Sequence, residues 1–147
     1  MRLNIKRSNW VTAPNASKLW ICIPVFYTLF IQILTGFPRP GTLHEVSAHE
    51  FFIKMSEKIF DYPFWIQDLS HFPLFLVFGW LWLWYLRRKQ RNPFALFSLV
   101  LIAFSYAIIN EFTQFFIPQR FPSINDVIMN LLGMTAALFL HLYSHKN

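Results

Sequence analysis

The sequence predicts an all-α membrane protein, with four transmembrane helices and an amphipathic helix on the outer surface between spans one and two. Three observations carry that expectation. Of the 147 residues, 55% are hydrophobic and only 14% are charged, whereas a soluble domain carries roughly 25% charged residues. Apolar runs recur at lengths near the roughly 20 residues that cross a bilayer as a helix. Lysines and arginines gather in short segments flanking those runs, the pattern of membrane topology signals. The net charge of +6 therefore reflects topology and is not a nucleic-acid footprint, so no nucleic-acid partner is expected. At this length, one domain over residues 1–147 is the natural count.

The first span is expected over 19–37, behind a segment with Arg2, Lys6, Arg7 and Lys18 and no acidic residue. A basic start before an apolar run also suits a signal peptide, but this run is too long and lacks a small-residue cleavage site. It reads as a retained helix, with Pro24 tolerated near its start. The single cysteine, Cys22, lies inside this run, excludes an intrachain disulfide, and is expected to be an inert lipid-facing or core residue.

Residues 39–67 form the longest polar segment, in which Pro38, Pro40 and Gly41 end helix one and Asp61-Tyr62-Pro63 closes the stretch. Ala48, Phe52, Met55 and Ile59 recur at helical spacing, while Glu50, Lys54, Glu57, Lys58 and Asp61 occupy mostly the other faces. That pattern predicts an amphipathic helix on the membrane surface over 45–61, acting either as a mere cover of the bundle or as a mobile lid over a site. The second span is expected over 68–86, ending in Trp80, Trp82, Trp84 and Tyr85 just before Arg87, Arg88, Lys89 and Arg91, an aromatic belt followed by a basic loop. The third starts at Pro93, a favourable first-turn residue, and runs to 117. The fourth covers 124–143.

Charge counting sets the topology. The N-terminal segment and the loop between spans two and three carry four Lys/Arg each, whereas the segment between spans one and two has three against Glu45, Glu50, Glu57, Asp61 and Asp68. By the positive-inside rule, both termini and the middle loop are cytoplasmic. The polar stretch 110–133, between spans three and four, then faces outward.

That stretch holds Glu111, Gln114, Arg120, Asp126 and Asn130 around one turn of a very apolar chain. Glu111 and Gln114, three apart, share a helix face, with Glu111 roughly 9 Å below the end of its span at 1.5 Å per residue. A carboxylate at that depth needs a partner or a water-filled cavity, so the pair is either a polar clasp between helices or part of a site. Ser123 and Asp126 match a capping box at the start of span four, and Asn130 follows one turn deeper, where an unpaired amide is penalised. Gly133 and Ala137 are small residues four apart that admit a close neighbouring helix. Arg120, in the tight link, is either a snorkelling arginine or a guanidinium that holds Glu111, Asp126 or a phosphate in two-pronged fashion. At the start of span two, Asp68 and His71 share a face. Asp68 is either an N-cap or the acid that orients His71 for acid or base work. Three spans thus deliver polar groups to one leaflet, and that asymmetry favours a functional site.

The ordered set Glu111-x-x-Gln114, Pro118, Arg120, Asp126, Asn130 and Gly133, with Asp68-x-x-His71-Phe72 upstream, resembles the VanZ-like family of small bacterial membrane proteins. The likeness spans roughly residues 68–137. Two positions depart from it: Leu69 stands where a lysine is frequent, and Ala137 where a second glycine is common. The resemblance implies a polytopic protein of the bacterial cytoplasmic membrane, in a family whose namesake is associated with low-level resistance to the glycopeptide teicoplanin. It does not transfer resistance to this chain, because one fold serves different ends.

The resulting expectation is an outward-facing polar pocket, walled by aromatics, that binds or acts on a lipid-linked or amphiphilic envelope molecule among membrane lipids. Arg120 holds a phosphate or carboxylate, Gln114 and Asn130 orient the group, and Asp68, His71, Glu111 and Asp126 are the candidate catalytic residues. Glu111 and Asp126 are alternatively a site for a hard divalent cation, although no metal or other cofactor is assigned. The rival class is a non-enzymatic membrane protein whose polar cluster locks the bundle. Substrate and oligomeric state are not legible in the residues.

Overall fold

A computed structural model describes residues 12–13, 18–86, 93–120 and 122–146. Arg2, Lys6, Arg7, Arg87, Arg88, Lys89 and Arg91, whose charges set the expected topology, lie outside the described residues. The described residues are mostly helical, with no strand among them: α1 (Cys22–Thr35), α2 (Pro40–Glu45), α3 (Glu50–Phe60), α4 (Phe64–Leu86), α5 (Pro93–Thr113) and α6 (Ile124–Lys146). Short 3-10 turns precede α1 at Lys18–Ile21 and follow α5 at Gln114–Phe116. Among the described residues, three helical segments are long and apolar enough to cross a membrane, namely Lys18–Thr35, Phe64–Leu86 and Ile124–Ser144, and Val100–Phe116 is a shorter apolar helix.

The most extensive packing joins α4 to α6. Lipid tails are as apolar as leucine, so this contact depends on close van der Waals fit rather than on escape from water. Gly133 provides the fit: a Cβ there would meet the backbone of α4 at Phe72 O and, at 2.9 Å, Leu76 N. One turn further along α6 the small pair is Gly79 and Ala137, where a Cβ on Gly79 would lie 2.9 Å from that of Ala137. Ile31, Phe75, Phe78, Ala107 and Met134 form the buried core between α1, α4, α5 and α6, with the Phe78 and Tyr106 rings stacked at 4.9 Å. Outward faces carry Phe30, Ile33, Leu101, Ile108, Leu132 and Phe139, all exposed, as lipid-contacting surfaces require.

Trp20 and Trp84 meet edge to face at 6.0 Å, which puts the start of α1 and the end of α4 at one end of the bundle. The opposite end gathers the end of α1, the start of α4, the 3-10 turn after α5 and the start of α6. A roof of α2 and α3 closes over that end and is tied down by hydrogen bonds: Thr42 Oγ1 donates to Pro118 O at 3.1 Å, Gln119 Nε2 to Glu45 Oε1 at 2.9 Å, and Ser56 Oγ to Pro38 O at 2.7 Å.

Several expectations need correction. The expected amphipathic helix over 45–61 is shorter: α3 starts at Glu50, separated from the preceding α2 by residues 46–49, where Ser47 adopts φ 50°. His49 restarts the chain, its Nδ1 accepting from Phe51 N at 3.2 Å, and Glu50 in the first turn suits the helix dipole. The fully buried position of α3 is Ser56, not the stripe through Phe52, which is exposed; the bond from Ser56 to Pro38 sets that rotation. Span two begins at Phe64, so Asp68 lies inside α4 and is not its N-cap. Asp126 does not close a capping box: its Oδ1 is buried without a hydrogen-bond partner and its Oδ2 faces His71. Cys22 is exposed.

Candidate functional site

The polar residues at the roofed end are arranged in two layers. The deeper layer centres on Glu111 at the end of α5, which is 1% exposed. Each of its oxygens is occupied. Oε1 accepts from Asn130 Nδ2 at 3.0 Å and from Asn110 Nδ2 at 3.3 Å, and Oε2 accepts from Gln114 Nε2 at 3.0 Å. Asn130 Nδ2 also donates to Ala107 O at 3.2 Å. Thr35 extends the layer to α1, its hydroxyl shared between Ile31 O at 2.9 Å and Asn110 Oδ1 at 3.0 Å. A carboxylate out of water costs several kcal/mol if left unpaired, and here three amides take up its lone pairs. The helical period explains the convergence: Ala107, Asn110, Glu111 and Gln114 are spaced three and four apart on one face.

His71, on α4, joins the two layers. Its Nδ1 lies 2.9 Å from Asn130 Oδ1 and 3.5 Å from Glu111 Oε1. Asn130 must direct its amide nitrogen at the two acceptors, Ala107 O and Glu111, so its oxygen faces the imidazole and the proton resides on Nδ1. Nε2 is then the nitrogen turned outward, 3.9 Å from Asp126 Oδ2. Asp68 adjoins Asp126 and accepts from Asn125 Nδ2 at 3.5 Å.

Above this imidazole lies a cavity of about 560 Å³, lined by Asp68, His71, Gln114, Arg120 and Asp126 among others, with Phe60, Tyr62 and Phe64 as aromatic wall. Arg120 donates through Nη2 to Thr35 O, and its guanidinium carbon stands 5.0 Å from the centroid of the Phe60 ring. Burial, reinforced by the Arg39 charge, draws its pKa below the ordinary value, while Glu111 and Asp126 pull the other way. Among the described residues, Arg120 makes no ion pair with either carboxylate, so the expected two-pronged grip on Glu111 or Asp126 is absent.

The structure therefore brings Asp68, His71, Gln114, Arg120 and Asp126 to one cavity and places Glu111 and Asn130 behind it. The expected partnership of Asp68 with His71 is replaced: the imidazole contacts Asn130, Glu111 and Asp126. Residues the sequence did not single out are Asn110, Thr35 and Arg39. Asn110, beside Glu111 in an apolar run, carried a detectable signal; Thr35 and Arg39 carried none.

One atom each from His71, Glu111 and Asp126 can be chosen so that all lie within 4.8 Å of one another, a set able to hold a metal ion. The hydrogen bonds oppose it. Glu111 already accepts from three amides and His71 Nδ1 is committed to Asn130, leaving only Nε2 and Asp126 available, fewer ligands than a protein metal site ordinarily supplies. The arrangement suits proton transfer at Nε2, or simple fixation of three helices.

A model of the VanZ/LLP1 family matches residues 24–144. No curated protein and no solved structure matches the chain.

Proposed function

The chain belongs to the VanZ/LLP1 family, and from that premise we propose that it is a single-domain, multi-pass protein of the bacterial cytoplasmic membrane whose outward-facing pocket binds a lipid-linked or amphiphilic molecule of the cell envelope. In this reading there are four spans. α5, at 21 residues, is about 30 Å long at 1.5 Å per residue, enough for the hydrocarbon core, and both termini are cytoplasmic. The observation that carries the proposal is the cavity itself, which combines a guanidinium, an imidazole nitrogen and carboxylates with an aromatic wall at one end of an apolar bundle. An amphiphile has that division of character, a polar head on an apolar body.

Arg120 holds the head, and His71 Nε2, oriented through Asn130, is the acid or base if a reaction follows, with Asp126 and Asp68 beside it. The test is lipid mass spectrometry on protein extracted in mild detergent. A retained amphiphile that Arg120→Gln loses supports the proposal, with a loss of about tenfold or more for one charge-assisted contact. Equal retention by the variant, or no retained amphiphile at all, contradicts it. A link to teicoplanin belongs to the same proposal and is read by comparing drug susceptibility of a bacterial host with and without the chain.

A second reading, a non-enzymatic protein whose polar cluster locks the bundle, draws support from the fully occupied Glu111 carboxylate. Glu111→Gln and Arg120→Gln together separate the two. The amide introduced at position 111 must turn its nitrogen toward Gln114 Nε2 or toward the Asn donors, so that variant loses about 1–3 kcal/mol of stability in either reading; a lock retains whatever lipid it carries when Arg120 is replaced, whereas the pocket loses it.

A further inference from the structure

The α1–α2 link and the α5–α6 link bring together two positive charges, of which the amphiphile pocket described above uses one. Arg39, in the link between α1 and α2, lines the same cavity as Arg120. Its guanidinium carbon is 5.8 Å from the centroid of the Phe60 ring and 5.6 Å from that of Phe64, while Arg120 stands 5.0 Å from the same Phe60 ring. Both Nε atoms are buried without a hydrogen-bond partner. Among the described residues neither arginine forms an ion pair, so Asp68 and Asp126, which line the same cavity, lie beyond ion-pair reach.

The face of an aromatic ring attracts a guanidinium by about 0.5–2 kcal/mol, but it neutralises no charge. Two like charges withdrawn from water beside each other repel, and a buried donor without an acceptor carries its full desolvation cost. An anion between the guanidiniums removes both costs together. The planar fork of arginine matches the oxygens of a phosphate two at a time, and the dianion of a phosphate monoester matches two guanidiniums charge for charge.

We propose that Arg39 and Arg120, both held against the Phe60 ring, form a two-arginine grip for a phosphate monoester, with its apolar body along Leu34, Ile59 and Leu74. The proposal rests on the amphiphile pocket described above and adds to it a ligand class and a second binding residue. The phosphate then sits on the arginine side of the cavity, away from Asp68 and Asp126.

The test uses the full chain in nanodiscs of phosphatidylcholine, with binding of farnesyl phosphate, farnesol and inorganic phosphate read by native mass spectrometry. The expected result is that farnesyl phosphate binds about tenfold or more tightly than farnesol. Arg39→Gln removes most of that preference, Arg39→Lys restores part of it by returning the charge without the fork, and the Arg39→Gln/Arg120→Gln double variant abolishes it. Thermal midpoints of the same samples identify any variant that fails to fold, in which case Arg39→Lys, intermediate between wild type and no preference, carries the test. Inorganic phosphate binding as tightly as farnesyl phosphate upholds the grip and assigns its ligand to the aqueous pool. Equal binding of farnesyl phosphate and farnesol overturns the grip while leaving the amphiphile pocket standing, and no binding of either prenyl compound overturns both.

Discussion

Asn130 determines which nitrogen of His71 can do chemistry. Its amide nitrogen is committed to Ala107 O and Glu111, its oxygen therefore accepts from Nδ1, and Nε2 is left toward Asp126 and the cavity. This yields a spectroscopic prediction. In protein labelled with 15N-histidine and observed where the ring is neutral, His71 shows a protonated Nδ1 and a bare Nε2, and Asn130→Leu abolishes that preference; an Nε2–H tautomer in the wild type refutes the assignment. The same substitution strips a donor from Glu111 and an acceptor from His71, so it lowers stability by about 1–3 kcal/mol, measured by thermal unfolding in detergent. His71→Asn differs: its amide can still donate to Asn130 while Nε2 disappears, so the fold is kept within about 1 kcal/mol and any proton-transfer activity is lost. Glu111, Asn130 and His71 were legible in the sequence because polar groups inside apolar runs must find partners. Arg39 was not, because an arginine after Pro38 in the longest polar segment looks like a solvated charge until the roof folds over it.

Between elements, the decisive contact is that of α6 on α4. A methyl group on Gly133 would press on backbone atoms of Phe72 and Leu76, which cannot move without bending α4. One on Gly79 would meet Ala137 Cβ and, at 3.0 Å, Met134 Sδ, and a methionine side chain can yield. Gly133→Ala is therefore expected to destabilise by about 1–3 kcal/mol and Gly79→Ala by less, with thermal midpoints in that order; a Gly133→Ala protein as stable as wild type contradicts the close approach. Small residues four apart at Gly133 and Ala137 made this interface readable. The break in the roof was not, because the apolar period through Ala48, Phe52, Met55 and Ile59 starts at Ala48, inside the break, and so does not record it. What interrupts the helix is Ser47 at positive φ and the His49 cap, local geometry that periodicity does not record. The start of α4 was likewise placed too late, since Phe64, Trp65 and Ile66 precede the first acidic residue of that helix and extend it by another turn.

For the whole molecule, the proposed orientation puts the roofed end outside and the Trp20–Trp84 end in the cytoplasm. A membrane-impermeant thiol reagent added to intact cells should label Gln119→Cys, in the α5–α6 link, and spare Tyr143→Cys, near the end of α6, both in a Cys22→Ser background. The reverse pattern turns the pocket inward and removes its access to envelope molecules outside the membrane. Composition alone made the membrane class legible, and the ordered polar set made the family legible. The cavity depends on how α3 folds back over the bundle, through a hydrogen bond from Ser56 to Pro38 that no pattern in the sequence announces. The most direct test of the central claim is an experimental structure of the chain in lipid, with attention to the space between Arg39, Arg120 and His71. Density for a phosphate-bearing headgroup against both guanidiniums, its body along the aromatic wall, is the result predicted. A closed end in which Arg120 pairs with Asp126 and no cavity survives would contradict the pocket and leave the polar cluster as a lock between helices.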